Sequence, residues 1–571
     1  MRALVVSVCI AALLPCALAV NDPPSPTLYN QAAAIGGWGL VIVLLAACPI
    51  RGISIGVRRS AALQAAASIV CGAALFSWSA GALPSSLALS AAALLLMVRG
   101  LALAGSVVPV SRVLLVAFFA AWLVAGGMSA LIAIVQVFAP AWPDGGWIAR
   151  SAMPGRAVGN LRQPNHLSSL LLWSAVSVVP LLEMQRLRHW AGASLFALMV
   201  LGVTLSGSRT GLVGVGVLGL WGLLDRRLAR FSRGLLMTAP LLCAASWGLT
   251  AWWASAHDVH AIGAAARIGE GDISASRFAI WRDTLELIRV QPWFGVGFGE
   301  FNFAWSLTPF PQRPGAFFDH THNLPLQLAV ELGVPLAALV LGLLALALWQ
   351  AWRRSSAVEG ETGAGLRAAF VMVLLMALHS QLEYPLWYAH FLLPTALMWG
   401  LCLGAGAPQD AHASQAKSTP RWPVVAGLAM VIGAVVVLID YHRVVVIFSP
   451  PVGAAPLEER IAAGQRSWFF AQHADYAAAT TADRPADAMA AFKRAPHHLL
   501  DTRLMVAWAQ ALAQSGDVDR ARHIAARLRE FRNPNSDEFF APCADAALAP
   551  QPFQCEPPTR RYDWRDFTDA P

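Results

Sequence analysis

The sequence predicts an all-α, polytopic transmembrane protein with a small helical domain at its C-terminal end, and three observations lead to this fold class. Of the 571 residues, 57% are hydrophobic and only 13% are charged, against about 25% charged residues in an ordinary soluble domain. The mean hydropathy is +0.55. The hydrophobic residues gather in blocks of about 17–25 residues, the helix length that crosses a hydrocarbon core about 30 Å thick. The composition therefore excludes a soluble globular enzyme.

About 12–13 of these blocks are predicted to cross the membrane as helices. The first block follows Arg2 and ends near Ala17-Leu18-Ala19, so it fits either a retained span or a cleavable secretory signal. The retained span is the favoured interpretation. The blocks lie approximately at residues 3–20, 33–49, 60–80, 83–98, 113–138, 167–182, 190–206, 210–224, 234–253, 323–350, 366–382, 389–406 and 423–447.

Arginine positions predict the orientation of the spans. The net charge is +8, and many of the basic residues stand in short connections between apolar blocks, as the positive-inside rule expects of cytoplasmic loops. This placement favours a topological role for the charge over nucleic-acid binding. With Met1 in the cytoplasm, the loops at 139–166 and 254–322 and the tail at 448–571 lie outside.

The chain divides into three predicted segments. Residues 1–32 hold the first span and a short outer loop, residues 33–447 form the transmembrane domain, and residues 448–571 form a helical tail. Within the tail, Leu504–Phe531 is typical of one helical hairpin of the tetratricopeptide kind, although such units usually stack in several copies. The tail is predicted either as a small helical domain over the outer face or as a surface for a protein acceptor.

Cysteine positions separate into two classes. Six of the eight cysteines lie in apolar blocks, where a lone Cys usually acts as a small hydrophobe. Cys543 and Cys555 stand in the polar tail. These two are expected to pair if the tail lies in an oxidising compartment.

Polar residues collect at the outer ends of three spans, and the first such segment is Gly159–His166. Pro164 restricts the backbone before it to an extended or turn conformation. The side chains of Gln163, Asn165 and His166 are therefore offered at the interface where the sixth span begins. Asn165 is either the N-cap of that helix or a member of a polar site.

The second segment is Asp319–Asn323, at the start of the tenth span. A partly desolvated His flanked by carboxylates can titrate near neutral pH and act as a general base, so His320 and His322 are candidates. Two alternatives stay open. The histidines could ligate a metal with Asp319, although the spacing matches no strong zinc pattern, or Asn323 could cap the helix without any chemistry.

The third segment is Glu383–Tyr388, at the outer end of the eleventh span. A carboxylate at the membrane edge is costly and usually functional, whereas Tyr and Trp in this position also fit an interfacial aromatic belt. The belt accounts for Trp387 and Tyr388 but not for Glu383.

Several arginines stand in loops predicted to lie outside, where the positive-inside rule disfavours them. Each either needs an anionic partner or is weakly constrained, because long loops translocate largely regardless of charge. Arg209 differs from the others because it joins two closely spaced spans, where an unpaired guanidinium would be costly. The set comprises Arg150, Arg156, Arg162, Arg209, Arg267, Arg277, Arg282, Arg289 and Arg313.

Together, these segments resemble the bacterial O-antigen ligase and polymerase (Wzy/WaaL-like) superfamily, and most closely its O-linked oligosaccharyltransferase branch, the PglL-like protein glycosyltransferases. The run Gly-Asn-Leu-Arg-Gln-Pro-Asn-His at 159–166 looks like the segment that separates protein-glycosylating members from lipopolysaccharide ligases. Gln291–Gly299, followed by His320-Thr321-His322-Asn323 and Glu331-Leu332-Gly333, resembles the core shared by the superfamily. Glu383–Tyr388 resembles the oligosaccharyltransferase pattern.

The resemblance implies a GT-C-type glycosyltransferase of the bacterial inner membrane that works without metal or cofactor. Such enzymes take an oligosaccharide from undecaprenyl pyrophosphate at the periplasmic face and transfer it to Ser or Thr of a protein, often a pilin. Carried onto this sequence, the resemblance makes His322 the catalytic His, with His320 and Glu383 as rivals for the role of base. Arg209 and Arg277 become the pyrophosphate-binding residues. The remaining expected substrate contacts are Gln163, Asn165 and Tyr384.

Residue chemistry agrees with this expectation. A hydroxyl that attacks an anomeric carbon needs a base for its proton, and the departing pyrophosphate needs its charge stabilised, which guanidinium groups can do bidentately. Such an attack inverts the configuration at the sugar. Three other functions stay open: ligation of glycan to lipid A core, polymerisation of glycan repeats, and flipping of a lipid-linked glycan without catalysis.

Overall fold

The computed structural model describes residues 2–47, 52–257, 262–263, 265, 273–406, 421–545 and 548–568. Helices make up 73% of the structure, and the described residues form no strand. The predicted all-α class is therefore confirmed.

The apolar part of the chain forms a series of helices that overlap the predicted blocks, although some are longer: α3 begins at Ile53 instead of 60, and α4 ends at Val107 instead of 98. Most of them are runs of 16–27 residues with few charged side chains, and such runs favour a helix because it satisfies its own backbone groups in hydrocarbon. In chain order they are α1 (Arg2–Ala17), α2 (Leu28–Leu45), α3 (Ile53–Ser79), α4 (Ser85–Val107), α5 (Arg112–Phe138), α6 (Pro164–Glu183), α7 (His189–Ser206), α8 (Arg209–Leu224), α9 (Arg230–Met237), α10 (Ala239–Ala256), α11 (Ile273–Val290), α12 (Phe301–Leu307), α13 (Leu324–Leu332), α14 (Val334–Ser356), α15 (Gly360–His379), α16 (Ala389–Gly404) and α17 (Trp422–Phe448).

Within the described ranges, nine helices are long and apolar enough to cross a membrane, namely α2–α7, α14, α15 and α17. Helices α9 and α10 form one further apolar pair that bends by 42°, and α1, α8 and α16 are apolar but shorter. This pattern agrees with a polytopic helical membrane protein.

Two predicted blocks are divided in the structure. The block expected at 234–253 falls on α9 and α10, which bend by 42° where they meet. The block expected at 323–350 is divided into α13 and α14 at Gly333, which has a φ of +77°. A Cβ at Gly333 would lie 2.2 Å from the carbonyl oxygen of Trp293, and the amide of Val334 donates to the carbonyl of Pro292. The break follows from this close backbone approach, which a residue with a side chain could not make.

The tail forms four helices of two turns or more among the described residues, joined by single helical turns. Two of them form the hairpin expected at 504–531, and the disulfide between Cys543 and Cys555 is present. The helices are α18 (Leu457–Gly464), α19 (Ala471–Thr481), α20 (Thr502–Gln514) and α21 (Val518–Glu530). The short turns of the tail lie at Pro485–Ala488, Met489–Phe492, Ala495–His497, Pro534–Ser536, Asp537–Phe540, Ala541–Ala544, Phe553–Cys555 and Trp564–Phe567. Another short turn, Pro385–Trp387, lies between α15 and α16.

The chain folds as two compact units. The first unit comprises residues 1–67, 96–271 and 342–438, and the second comprises residues 68–95, 272–341 and 439–571.

In the first unit, α6 is the central helix, and 94% of its apolar window is buried. Its Trp173 is fully buried and packs edge-on against Trp122 of α5 at 4.9 Å and Phe391 of α16 at 5.5 Å between ring centroids. The indole of Trp173 donates to the carbonyl of Met372 in α15 at 3.0 Å. Aromatic packing of this kind fixes the helix that carries the Gln-Pro-Asn segment.

In the second unit, the core joins α12 to the tail hairpin. Phe301, Phe303 and Trp305 of α12 are buried with Trp508 of α20 and Phe531 that follows α21. The rings of Trp305 and Phe531 lie 5.4 Å apart in an edge-on arrangement. Residues more than 200 positions apart in the sequence therefore share one hydrophobic core.

Candidate functional site

The predicted site residues fall into two groups. Gln163, Asn165, Arg209, Glu383 and Tyr384 lie in the first unit. The second unit holds Arg277, His320 and His322.

Asn165 lies at the start of α6, but it is not the N-cap. The N-cap is Gln163, which has extended backbone angles, and Pro164 occupies the first helical position, where its missing N–H costs nothing. Asn165 instead uses its amide in two directions: Nδ2 donates to Oε1 of Glu383 at 2.8 Å, and Oδ1 accepts from the hydroxyl of Ser208 at 2.6 Å. The capping alternative for Asn165 is therefore wrong.

A buried amide shapes the loop before this helix. Oε1 of Gln136 in α5 accepts from the amides of Val158 and Gly159 at 3.0 and 2.9 Å. The side chain of Asn160 bridges the amide of Ala149 and the carbonyl of Ala17 at 2.9 and 2.8 Å. These contacts hold the loop against its neighbours and thereby set where α6 begins.

Arg209 is the first residue of α8, and its side chain is exposed. The preceding Ser208 is the N-cap, and its Oγ accepts from the amide of Gly211 at 3.0 Å. Ser208 is 1% exposed, and its hydroxyl lies 3.0 Å from that of Ser168. The same serine that begins α8 thus contacts Asn165.

Glu383 and Tyr384 follow α15 in a tight turn. The amide of Glu383 donates to the carbonyl of His379 at 2.9 Å, and the Glu383 side chain is buried. The ring of Tyr384 lies 5.9 Å from that of Tyr388. Trp387 is 46% exposed, as an interfacial aromatic residue would be.

Three histidines lie behind the Asn165–Glu383 contact. The ring of His166 is 6.2 Å from that of His379, 5.7 Å from that of His390 and 4.4 Å from that of Tyr388. All three histidines are buried, and Nδ1 of His379 is hydrogen-bonded to the hydroxyl of Ser169 at 2.8 Å. Their rings form the packed support of this part of the first unit.

In the second unit, His320 and His322 lie side by side, with 4.5 Å between ring centroids. His320 is 4% exposed, and its Nδ1 pairs with Oδ1 of Asp319. Burial raises the pKa of Asp319, but the neighbouring His320 outweighs this effect and holds that pKa at about 2. His322 is half-buried and is the more accessible of the two histidines.

The backbone of His322 adopts a left-handed conformation, with a φ of +54°. This region is uncommon for residues other than glycine. Thr321 and Asn323 bond across it, because the hydroxyl of Thr321 donates to the carbonyl of Asn323 at 2.8 Å. Asn323 also caps α13 by accepting from the amide of Leu326 at 3.0 Å. The cap predicted for Asn323 is therefore present beside the two histidines.

Further contacts fix the histidine segment. Oε1 of Gln327 accepts from the amide of Thr321 at 2.8 Å, and its Nε2 donates to Oε1 of Glu331 at 2.8 Å. The indole of Trp281 in α11 donates to the carbonyl of Thr321 at 2.9 Å. Arg277 lies one turn before Trp281 on α11, on the same helical face.

A cleft of about 970 Å³ lies in the second unit. Its walls include Glu331, Glu300, Lys493 and Arg565 together with apolar side chains. Glu331 is linked to Thr321 through Gln327, so a molecule in this cleft would contact a residue that lies two hydrogen bonds from the histidine segment.

The described part of the chain contains no group of three or more His, Cys, Asp or Glu side chains that could hold a metal ion. The metal alternative for His320, His322 and Asp319 therefore finds no support in their geometry.

Several of the outer-loop arginines have intramolecular partners. Arg313 is buried, pairs with Glu530 at 3.3 Å and stacks on Trp305 and Phe531; burial lowers its pKa to about 10. Arg156 donates to the carbonyl of Ser206 at 3.1 Å. Structural contacts thus account for Arg313 and Arg156. Four more of these arginines also contact other residues of the chain: Arg150 contacts Pro143, Arg162 contacts Ala19, Arg282 contacts Asp283 and Arg289 contacts Glu286. Arg267 lies outside the described residues.

Sequence reasoning did not single out Ser208, Gln136 or Gln327. Gln136 is a lone amide in an apolar helix, which is a usable signal. Gln327 carries a similar signal near the start of α13. Ser208 looks like an ordinary cap, and nothing local indicates its contact with Asn165.

Three family models match separate parts of the chain. A model described as O-antigen ligase matches residues 194–341, which contain Arg209, Arg277, His320 and His322. A model described as protein glycosylation ligase matches residues 157–182, which contain Asn165. A third, described as the C-terminal part of a virulence factor membrane-bound polymerase, matches residues 367–540.

Two relatives come from Acinetobacter baylyi. A general O-oligosaccharyltransferase is 28% identical over 266 residues, which cover 45% of each chain. A ComP-specific O-oligosaccharyltransferase is 25% identical over 261 residues, which cover 44% of each chain. The match thus spans less than half the length of these relatives. The resemblance read from the motifs is confirmed: the chain is homologous to O-oligosaccharyltransferases, and parts of it match the models described as O-antigen ligase and protein glycosylation ligase.

Proposed function

We propose that this protein is an O-oligosaccharyltransferase that transfers glycan from undecaprenyl pyrophosphate to Ser or Thr hydroxyls of periplasmic proteins such as pilin. The observation that carries the proposal is the match of residues 157–182 to protein glycosylation ligases, because this segment supplies the contact between Asn165 and Glu383. The two homologous oligosaccharyltransferases support the same reaction class. The protein then belongs in the bacterial inner membrane with its tail in the periplasm.

In the proposed reaction, the acceptor oxygen attacks the anomeric carbon while the bond from that carbon to the pyrophosphate oxygen breaks. The hydroxyl proton passes to His322, and the configuration at the sugar inverts. Arg209 and Arg277 stabilise the charge that develops on the departing pyrophosphate. The donor itself supplies the free energy, so no step needs a nucleotide, and in this proposal the two guanidinium groups stabilise the charge that a metal ion would otherwise stabilise.

Accessibility supports His322 as the base over its two rivals. Nδ1 of His320 is already paired with Asp319, and its side chain is nearly buried. Glu383 is 5% exposed and accepts a hydrogen bond from Asn165. A base must come within hydrogen-bond reach of the acceptor hydroxyl, and the half-buried His322 meets this requirement best.

Glycan ligation to lipid A core and glycan polymerisation are the second candidates, because residues 194–341 and 367–540 match a ligase and a polymerase model. A flippase that performs no transfer is the non-enzymatic alternative.

Co-expression tests these alternatives directly. The host lacks its own O-antigen ligase, makes a lipid-linked glycan and expresses a candidate pilin, and both pilin mass and lipopolysaccharide are measured. We expect glycan on pilin Ser or Thr with the native chain and with the control His257→Ala, whose side chain is exposed, but not with His322→Ala. Glycan on lipid A core with unmodified pilin would indicate a ligase, a ladder of lengthened glycan would indicate a polymerase, and no product would favour the flippase.

A further inference from the structure

The first unit contains a continuous line of hydrogen bonds between Glu383 and the start of α8. Asn165 donates to Glu383 and accepts from Ser208, so both ends of its amide are engaged. Ser208 in turn accepts from the amide of Gly211. Three elements that are distant in the sequence, the turn after α15, the start of α6 and the start of α8, are thereby joined.

The donors and acceptors along this line have fixed directions. A carboxylate or carboxyl oxygen that receives the Asn165 amide proton acts as an acceptor, so the amide nitrogen faces Glu383 and the amide oxygen faces Ser208. The hydroxyl proton of Ser208 is committed to that oxygen, which leaves its lone pairs for the amide of Gly211. Rotation of Asn165 by a half-turn would place acceptor against acceptor at Glu383.

Burial strengthens the line. Ser208 is 1% exposed and Glu383 is 5% exposed, and a buried polar atom that loses its partner is penalised by desolvation. The start of α8 therefore has one preferred position relative to Glu383. Arg209 is the first residue of this helix.

We propose that Asn165 and Ser208 are a positioning pair for Arg209, and this inference rests on the proposed role of Arg209 in holding the donor pyrophosphate. The pair fixes the end of α8 so that the guanidinium leaves the helix in one direction. Asn165 then acts through other residues and does not itself contact the substrate.

Substitution of Ser208 by Gly removes the hydroxyl and its contacts with Asn165 and Ser168 but costs little capping, because Gly is nearly as good an N-cap as Ser. The matched control is Ser111→Gly: Ser111 caps α5 through the amide of Leu114 and is also followed by an arginine, Arg112. The conservative variant Ser208→Thr keeps a hydroxyl in place. All variants are assayed as full-length chains in membranes with a lipid-linked glycan as the varied donor and a pilin as the acceptor.

We expect Ser208→Gly to raise KM for the donor by about 5- to 10-fold, an effect of the size expected when the hydrogen bond to Asn165 is lost. The KM for the acceptor should stay unchanged. Ser208→Thr and Ser111→Gly should both have the donor KM of the native chain. Asn165→Ala should give a similar rise and add nothing when combined with Ser208→Gly. Equal effects of Ser208→Gly and Ser111→Gly, or a loss confined to kcat, would overturn the inference.

A second measurement separates this inference from the proposed function. The donor-induced rise in melting temperature of the detergent-solubilised chain reports donor binding without any transfer. If the native chain glycosylates no protein but is stabilised by the donor, the proposed function fails, and the positioning pair is still tested. In that case Ser208→Gly must need about 5- to 10-fold more donor for the same rise, and an unchanged dose dependence would refute the pair.

Discussion

Replacement of His322 by Gly should abolish transfer while leaving the fold intact, and the left-handed backbone at this position makes the two effects separable. A φ of +54° costs a residue with a Cβ about 1–2 kcal/mol, and Gly avoids this cost. Gly also loses more conformational entropy on folding, about 0.5–1 kcal/mol. The ring contacts of His322 with Phe318 and His320, at 5.3 and 4.5 Å, contribute about 1 kcal/mol more. These contributions nearly cancel, so the free energy of unfolding should change by no more than about 1 kcal/mol.

The expected loss of activity is far larger. A general base contributes about 100- to 10,000-fold to the rate, and Gly supplies none. His322→Asn is the matched control, because Asn also tolerates the left-handed region and cannot act as a base at neutral pH. Glycan transfer to pilin is followed by mass spectrometry in membranes, and stability is followed by intrinsic fluorescence of the solubilised chain during heating. If either variant kept more than about a tenth of the native rate, His322 would not be the base.

Three further predictions concern other residues. Glu383→Gln keeps an oxygen that can accept from Asn165 but removes the charge; we expect transfer to persist if His322 is the base, and a fall of about 100-fold or more would transfer that role to Glu383. Arg313→Met removes a buried ion pair and should destabilise the chain by about 3 kcal/mol, seen as a lower melting temperature, whereas the exposed Arg289→Met should have little effect. Burial lowers the pKa of His523 to about 4, so between pH 6.5 and 4 the unfolded chain binds a proton that the folded chain does not, and stability falls on acidification. From pH 7.5 to 5 this amounts to about 2 kcal/mol, which should disappear in His523→Gln; an unchanged pH dependence of the melting temperature would contradict this.

Hydropathy was sufficient to predict the apolar helices. Each helix that enters hydrocarbon must satisfy its own backbone hydrogen bonds, and its residues form a local run of apolar side chains that the sequence shows directly. The break at Gly333 was not predictable in this way. It depends on a backbone contact with Trp293, 40 residues earlier. Such a contact does not change the hydropathy of the residues around Gly333.

The same distinction applies to the candidate site. His322, Glu383 and Arg209 could be selected by residue type and by their position at the ends of spans. The bond from Asn165 to Glu383 joins residues 218 positions apart, so the sequence offered a cap and a site as equal alternatives for Asn165. The partner of Arg313, Glu530, lies 217 positions away in the tail. Arg313 was a candidate anion binder in the sequence, but in the structure it packs in the core of the second unit.

The shared core of α12 and the tail has a consequence for the order in which the chain matures. During synthesis, Leu307 leaves the ribosome 216 residues before His523, whose ring bonds to its carbonyl. Until then the aromatic side chains of α12 lack their partners, and such exposed surfaces favour aggregation or capture by chaperones. The segment from Asp319 to Asn323 follows α12 directly, and Asn302 of α12 donates to the carbonyl of Phe318 at its edge. We therefore expect the histidine segment to reach its final packing only after the tail has been synthesised.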